Sequence, residues 1–223
     1  MPQGCLPILI FMGIMVLLPL FLMNAVMTAL VKLGFSPEAG LSILLWIFFG
    51  SLINIPVKRL PREEDHEVRP VTAFGLDRVF KTSYSRRYII VAVNLGGGLT
   101  PCLIVAYEWV MIMRQYPQAM FPALLATLIN ILVCYKMARP IPKVGIGLPA
   151  LLPGLVAALS AMLLVPSMAP PVAFIAGVLG PLIGADLMHL RDITQLQVGI
   201  VSIGGAGTFD GIVLSGIIAA LLA

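Results

Sequence analysis

Residues 6–31 read LPILIFMGIMVLLPLFLMNAVMTALV, without a single Asp, Glu, Lys or Arg. About 20 apolar residues in a helix cross the ~30 Å hydrocarbon core of a bilayer. In lipid only a helix or a closed barrel satisfies the backbone, so this run predicts a transmembrane helix. It is longer than the apolar region of a cleavable leader, and no basic segment precedes it. It therefore reads as a first span and not as a segment to be removed.

Six further apolar stretches follow, making about seven spans in all: 6–31, 40–57, 88–113, 117–135, 145–165, 171–190 and 198–223. Hydrophobic residues make up 60% of the chain and charged residues 11%. A soluble domain carries roughly 25% charge, so this composition excludes a large water-exposed fold. The expected fold class is all-α, a polytopic transmembrane bundle forming a single membrane domain over residues 1–223. The lipid bilayer is its first partner. The net charge of +4 is no nucleic-acid signal, because the basic residues are distributed by side. Loop 58–87 holds eight of them, Lys136, Arg139 and Lys143 add three, and Arg191 adds one. Only Lys32 and Arg114 fall on the other side. That bias places the N-terminus and loop 58–87 in the cytoplasm and the C-terminus outside, in a multi-pass protein of the cytoplasmic (inner) membrane. The charged run Arg62–Glu67, with His66, reads as a solvated connection. Cys5, Cys102 and Cys134 lie in or beside apolar runs with no metal spacing, and read as small packing residues.

The chain also matches itself. At an offset of 130, Leu18-Pro19 falls on Leu148-Pro149, and Gly50-Ser51-Leu52-Ile53 falls on Gly180-Pro181-Leu182-Ile183. At an offset of 108, Asn94-Leu95-Gly96-Gly97-Gly98-Leu99-Thr100 falls on Ser202-Ile203-Gly204-Gly205-Ala206-Gly207-Thr208. These matches predict a 3+1+3 internal repeat: repeat one at 6–113, a linker span at 117–135 and repeat two at 145–223. Three spans plus one linker keep both copies in the same orientation, a parallel repeat of the kind found in transporters.

Ionisable residues inside apolar spans are costly, so each is a functional candidate. Asp186 lies near the cytoplasmic end of span six and Asp210 near the start of span seven. Glu108 lies near the outer end of span three, where it has the option of reaching the interface. Asp186, His189 and Asp192 have a spacing that allows a metal site, although hydration of a helix end explains them as well; no metal or cofactor is expected. A helix starting only near Asp210 leaves about 14 residues, or ~21 Å, which implies a broken or re-entrant start. The glycine-rich stretches Gly96–Thr100 and Gly204–Thr208 lack the Lys-Ser or Lys-Thr of a phosphate loop. They read either as close helix packing or as unwound backbone lining a cavity. Asn94, Thr127 and Asn130 suit interhelical hydrogen bonds.

Two resemblances attach to these residues. Gly180-Pro-Leu-Ile-Gly-Ala-Asp-Leu187, Ser202-Ile-Gly-Gly-Ala-Gly-Thr-Phe-Asp-Gly-Ile-Val213, Asn54-Ile-Pro-Val57 and Val93-Asn-Leu-Gly-Gly97 resemble the bacterial and archaeal membrane family called domain of unknown function 1614, which implies no activity. Gly205-Ala-Gly-Thr-Phe-Asp-Gly-Ile-Val213 is also similar to the second aspartate motif of the Gly-x-Gly-Asp intramembrane aspartyl proteases. In that resemblance Asp210 is the second catalytic aspartate and Asp186 the first. Pro149-Ala150-Leu151 resembles the Pro-Ala-Leu motif of the presenilin branch. Here Thr208 and Phe209 separate Gly207 from Asp210, and the Pro-Ala-Leu precedes the aspartates.

Three functions follow as expectations. The first is an intramembrane aspartyl endopeptidase using Asp186 and Asp210 on a membrane-anchored peptide. Its substrate contacts would come from Gly204, Gly205, Gly207, Thr208, Pro149, Ala150, Leu151, Asn94, Gly96, Gly97 and Thr100. The second is a transporter or channel for a small solute, proton or cation, with its site at the repeat interface. The third is a non-catalytic scaffold. Repeat one has Pro56 and Cys102 where repeat two has the two aspartates. A site confined to one half suits an enzyme better than an alternating-access carrier.

Overall fold

The computed structural model describes residues 5–61, 88–141, 145–149, 151–192, 200–205 and 210–223. The charged run Arg62–Glu67, Lys143, Ala150, Gly207 and Thr208 lie outside the described residues. The chain is mostly helical, with α1 (Cys5–Lys32), α2 (Pro37–Gly50), α3 (Thr100–Gln115), α4 (Met120–Met137), α5 (Leu152–Leu164), α6 (Ala169–Leu179) and α7 (Gly211–Leu222). Short π-helical stretches precede α3 (Leu95–Leu99) and extend α6 (Gly180–Leu187). Four helical stretches are long and apolar enough to cross a membrane: Ile10–Lys32, Leu95–Gln115, Pro117–Met137 and Pro166–Leu187. Helices α2, α5 and α7 are apolar but shorter.

The all-α expectation needs correction, because strands occur where four of the expected spans begin or end. Strand β1 (Asn54–Pro61) pairs antiparallel with β2 (Tyr88–Asn94), and β2 pairs parallel with β5 (Ile200–Ile203). A second, two-stranded ladder joins β3 (Arg139–Ile141) to β4 (Gly145–Gly147). The second apolar stretch stops being helical at Gly50, and the chain then runs extended through Pro56. Proline is tolerated there because β1 is an edge strand. The run Ile89-Ile-Val-Ala-Val93 is β-branched and suits a pleated, part-buried strand. Strand edges do not survive against lipid, so these ladders belong outside the hydrocarbon or against protein.

The core is built from small side chains. Ala157, Ala158 and Ala161 on α5, Ala173 and Ala176 on α6, and Ala219 and Ala220 on α7 are buried. Their size lets the three helices approach closely, which is how helices pack when hydrophobicity does not distinguish a neighbour from lipid. Helix α4 joins this group through Asn130, whose Nδ2 donates to the Ala176 carbonyl at 2.8 Å. Helix α1 docks only by its last turns. Ala29 and Leu30 are buried, Lys32 Nζ donates to the Leu221 carbonyl at 2.6 Å, and the earlier turns from Ile10 to Phe21 are largely exposed.

Candidate functional site

Helix α7 starts where the Asp210 side chain can cap it. Asp210 has extended backbone, and its Oδ1 accepts from Ile212 N–H at 2.9 Å. An aspartate at that position satisfies one of the orphan donors of the first turn, and a helix N-terminus suits an anionic oxygen. Asp186 comes from the π-helical extension of α6, a geometry that in proteins often marks a functional position. Asp186 and Asp210 both line one cavity of about 570 Å³. Two strands form its walls: β4 with Leu148 on one side, and β5 with Gly204 and Gly205 on another. Pro181, Ala185, Gly211 and Ile212 complete the lining. Among the described residues β5 pairs only with β2, and all four of its residues line the cavity.

The expected site residues divide sharply. Asp186, Asp210, Gly204 and Gly205 meet at this cavity. Pro149 and Leu151 are not among its lining residues, although their neighbour Leu148 is. Asn94, Gly96, Gly97 and Thr100 are also absent from the lining, and form a structural crossing behind β5. Asn94, fully buried, donates from Nδ2 to the Ser51 carbonyl (2.7 Å) and to Asn54 Oδ1 (3.1 Å), and its Oδ1 accepts from Gly97 N–H (2.8 Å). Thr100 donates to the Leu95 carbonyl at 2.8 Å. Glycine is required at this crossing: a Cβ on Gly96 would fall 2.1 Å from the Ile47 carbonyl oxygen. One on Gly204, already at φ +72°, would fall 2.3 Å from Gly98 N. Ser202 links crossing and cavity, since it lines the cavity and donates from Oγ to Asn54 Oδ1.

Two further acidic and basic candidates are placed elsewhere. His189 bonds through Nδ1 with the carbonyls of Gly184 (3.1 Å) and Ala185 (2.9 Å), and its ring lies 5.0 Å from that of Tyr135. Among the described residues no three His, Cys, Asp or Glu side chains gather to hold a metal. Glu108 does not reach an interface. It is 3% exposed, and its Oε1 is buried without a hydrogen bond. The lining contributed by β4 had no sequence signal beyond its glycines, whereas Leu148 falls in the internal match with Leu18 and Gly211 follows Asp210 in the aspartate motif.

These features define a helical membrane protein with an acidic, strand-walled cavity. The chain belongs to the family described as Protein of unknown function (DUF1614), whose model matches residues 48–222, so both aspartates fall inside the matched region. No curated protein and no solved structure is significantly similar to it.

Proposed function

We propose that this protein is an intramembrane aspartyl endopeptidase, with Asp186 and Asp210 as its two carboxyls. The observation that carries the reading is that both acids, 24 residues apart in sequence (210 − 186), line one cavity together with residues of β4 and β5. Two close carboxyls do not both ionise readily, and an aspartyl site uses one of each form. The ionised carboxyl takes a proton from water as the water oxygen adds to the peptide carbonyl carbon. The protonated one hydrogen-bonds the carbonyl oxygen. Collapse of the tetrahedral intermediate breaks the C–N bond and delivers a proton to the leaving amine. A transmembrane substrate hides its peptide bonds in a helix and must unwind first. The β5 edge and Gly204-Gly205 offer main-chain partners to such an extended segment. The test is cleavage of a membrane-anchored peptide by purified Asp186→Asn and Asp210→Asn. Both are expected to be inactive, and wild-type cleavage by either overturns the dyad.

A transporter built on a parallel repeat is the second reading, and one observation favours the repeat. The matched segments contribute neighbouring strands that run parallel, with Ile90 opposite Ile200. That pairing offset of 110 (200 − 90) lies within two residues of the sequence offset of 108. The acids occur in one half only, which keeps the peptidase reading ahead. Seven crossings with the N-terminus inside, in a cytoplasmic membrane, complete the proposal.

A further inference from the structure

Five glycines line the acidic cavity: Gly145, Gly147, Gly204, Gly205 and Gly211. Four are accounted for by the protein itself. Gly145 and Gly204 have φ of +134° and +72°. A Cβ on Gly147 would lie 2.4 Å from Ile141 Cδ1, and one on Gly205 would lie 2.6 Å from Ser202 Cβ. Gly211 has neither reason. Its φ is not positive, and among the described residues nothing lies within 4 Å of where its Cβ would be. It is exposed, opens the first turn of α7 and adjoins Asp210. Glycine is the poorest helix residue after proline, so alanine would serve this helix at least as well. The remaining use of glycine is to let another backbone come close.

We infer that Gly211 is the contact point for the main chain of the bound ligand, an extended peptide segment that passes over the first turn of α7 beside Asp210. This rests on the peptidase reading and adds a size limit to it: the space that a Cβ would fill belongs to the substrate. A planar peptide unit lying there is held next to the Asp210 carboxyl, where the reacting carbonyl must be. A Cβ at position 211 meets none of the described residues, so it pushes that unit away from the acids.

The experiment uses the full chain in detergent, with a synthetic peptide of one apolar span and polar flanks as probe. Gly211→Ala is expected to cut cleavage roughly tenfold to a hundredfold, the size of effect that small misplacement of reacting groups produces. Its thermal midpoint should equal or exceed that of the wild type. Gly13→Ala, at a helical glycine that also has nothing within 4 Å but lies away from the cavity, should change neither. In a background with Cys5, Cys102 and Cys134 replaced by Ser, Gly211→Cys should react readily with a charged methanethiosulfonate, and the probe peptide should slow that reaction. Wild-type cleavage by Gly211→Ala, or an unreactive G211C thiol, overturns the inference. So does a lowered midpoint for Gly211→Ala, which would mean that the chain itself fills the space. A peptide that shields the G211C thiol but is not cleaved by the wild type overturns the peptidase reading and keeps this one. A peptide that does neither overturns both.

Discussion

Replacing Asn94 with alanine tests whether the crossing behind the cavity holds β1, β2 and the first glycine-rich segment together. Asn94 is fully buried and ends β2. The truncation removes three hydrogen bonds, to the Ser51 carbonyl, Asn54 Oδ1 and Gly97 N–H. The loss is unequal among the partners. Asn54 Oδ1 keeps the hydroxyl of Ser202. The Ser51 carbonyl and Gly97 N–H lose the amide that pairs them. A buried polar group left unpaired costs about 1–3 kcal/mol, so two such groups predict a loss of about 2–6 kcal/mol. Equilibrium unfolding in mixed micelles with increasing denaturing detergent measures it. Asn94→Asp should be no better, because it keeps an acceptor for Gly97 but turns a second oxygen toward the Ser51 carbonyl. A loss below about 0.5 kcal/mol for Asn94→Ala would place it among inconsequential surface changes and refute the reasoning.

Four other predictions follow from the same geometry. Asp210→Asn keeps an N-cap acceptor for Ile212 N–H, whereas Asp210→Ala removes it. The alanine variant should unfold about 1 kcal/mol more easily than the asparagine variant, while both lose cleavage by roughly 10²–10⁴-fold; equal stability of the two would refute the capping role. Asn130→Ala should cost only about 0.6–1.7 kcal/mol, because the Ala176 carbonyl also accepts from Gly180 N–H. Gly180→Ala sets a Cβ 2.3 Å from Asn130 Nδ2, so its penalty should shrink in the Asn130→Ala background, and strict additivity of the two would count against that contact. A reporter fused after Ala223 should register outside the cytoplasm, and a cytoplasmic signal would overturn the seven-crossing proposal.

The membrane character was legible because an uncharged run such as 6–31 admits few other readings, and the acids were legible because so few occur among apolar residues. The strands were not. Tyr88–Asn94 continues without a charged residue into Leu95–Thr100, and periodicity alone does not separate a buried strand from the start of a span. Its pairing with Ile200–Ile203 spans over a hundred residues and leaves no local mark. The glycine segments were legible as unusual but ambiguous in role, because glycine with Asn or Thr serves close backbone crossing and unwound cavity lining equally well. The structure contains both uses. Gly96 sits against Ile47 and Gly50, and Gly98 against Ile203, while Gly204 touches Gly98 and opens with Gly205 onto the cavity of Asp186 and Asp210. Asn94 braces the first segment through Ser51 and Asn54, and Asn54 in turn holds Ser202 on the cavity wall. One segment therefore acts as a buttress for the other. A mutation behind β5, in residues that do not line the cavity of the acids, should reach the acid pair by two routes, the backbone contact of Gly98 with Gly204 and the bonds of Asn54 with Asn94 and Ser202.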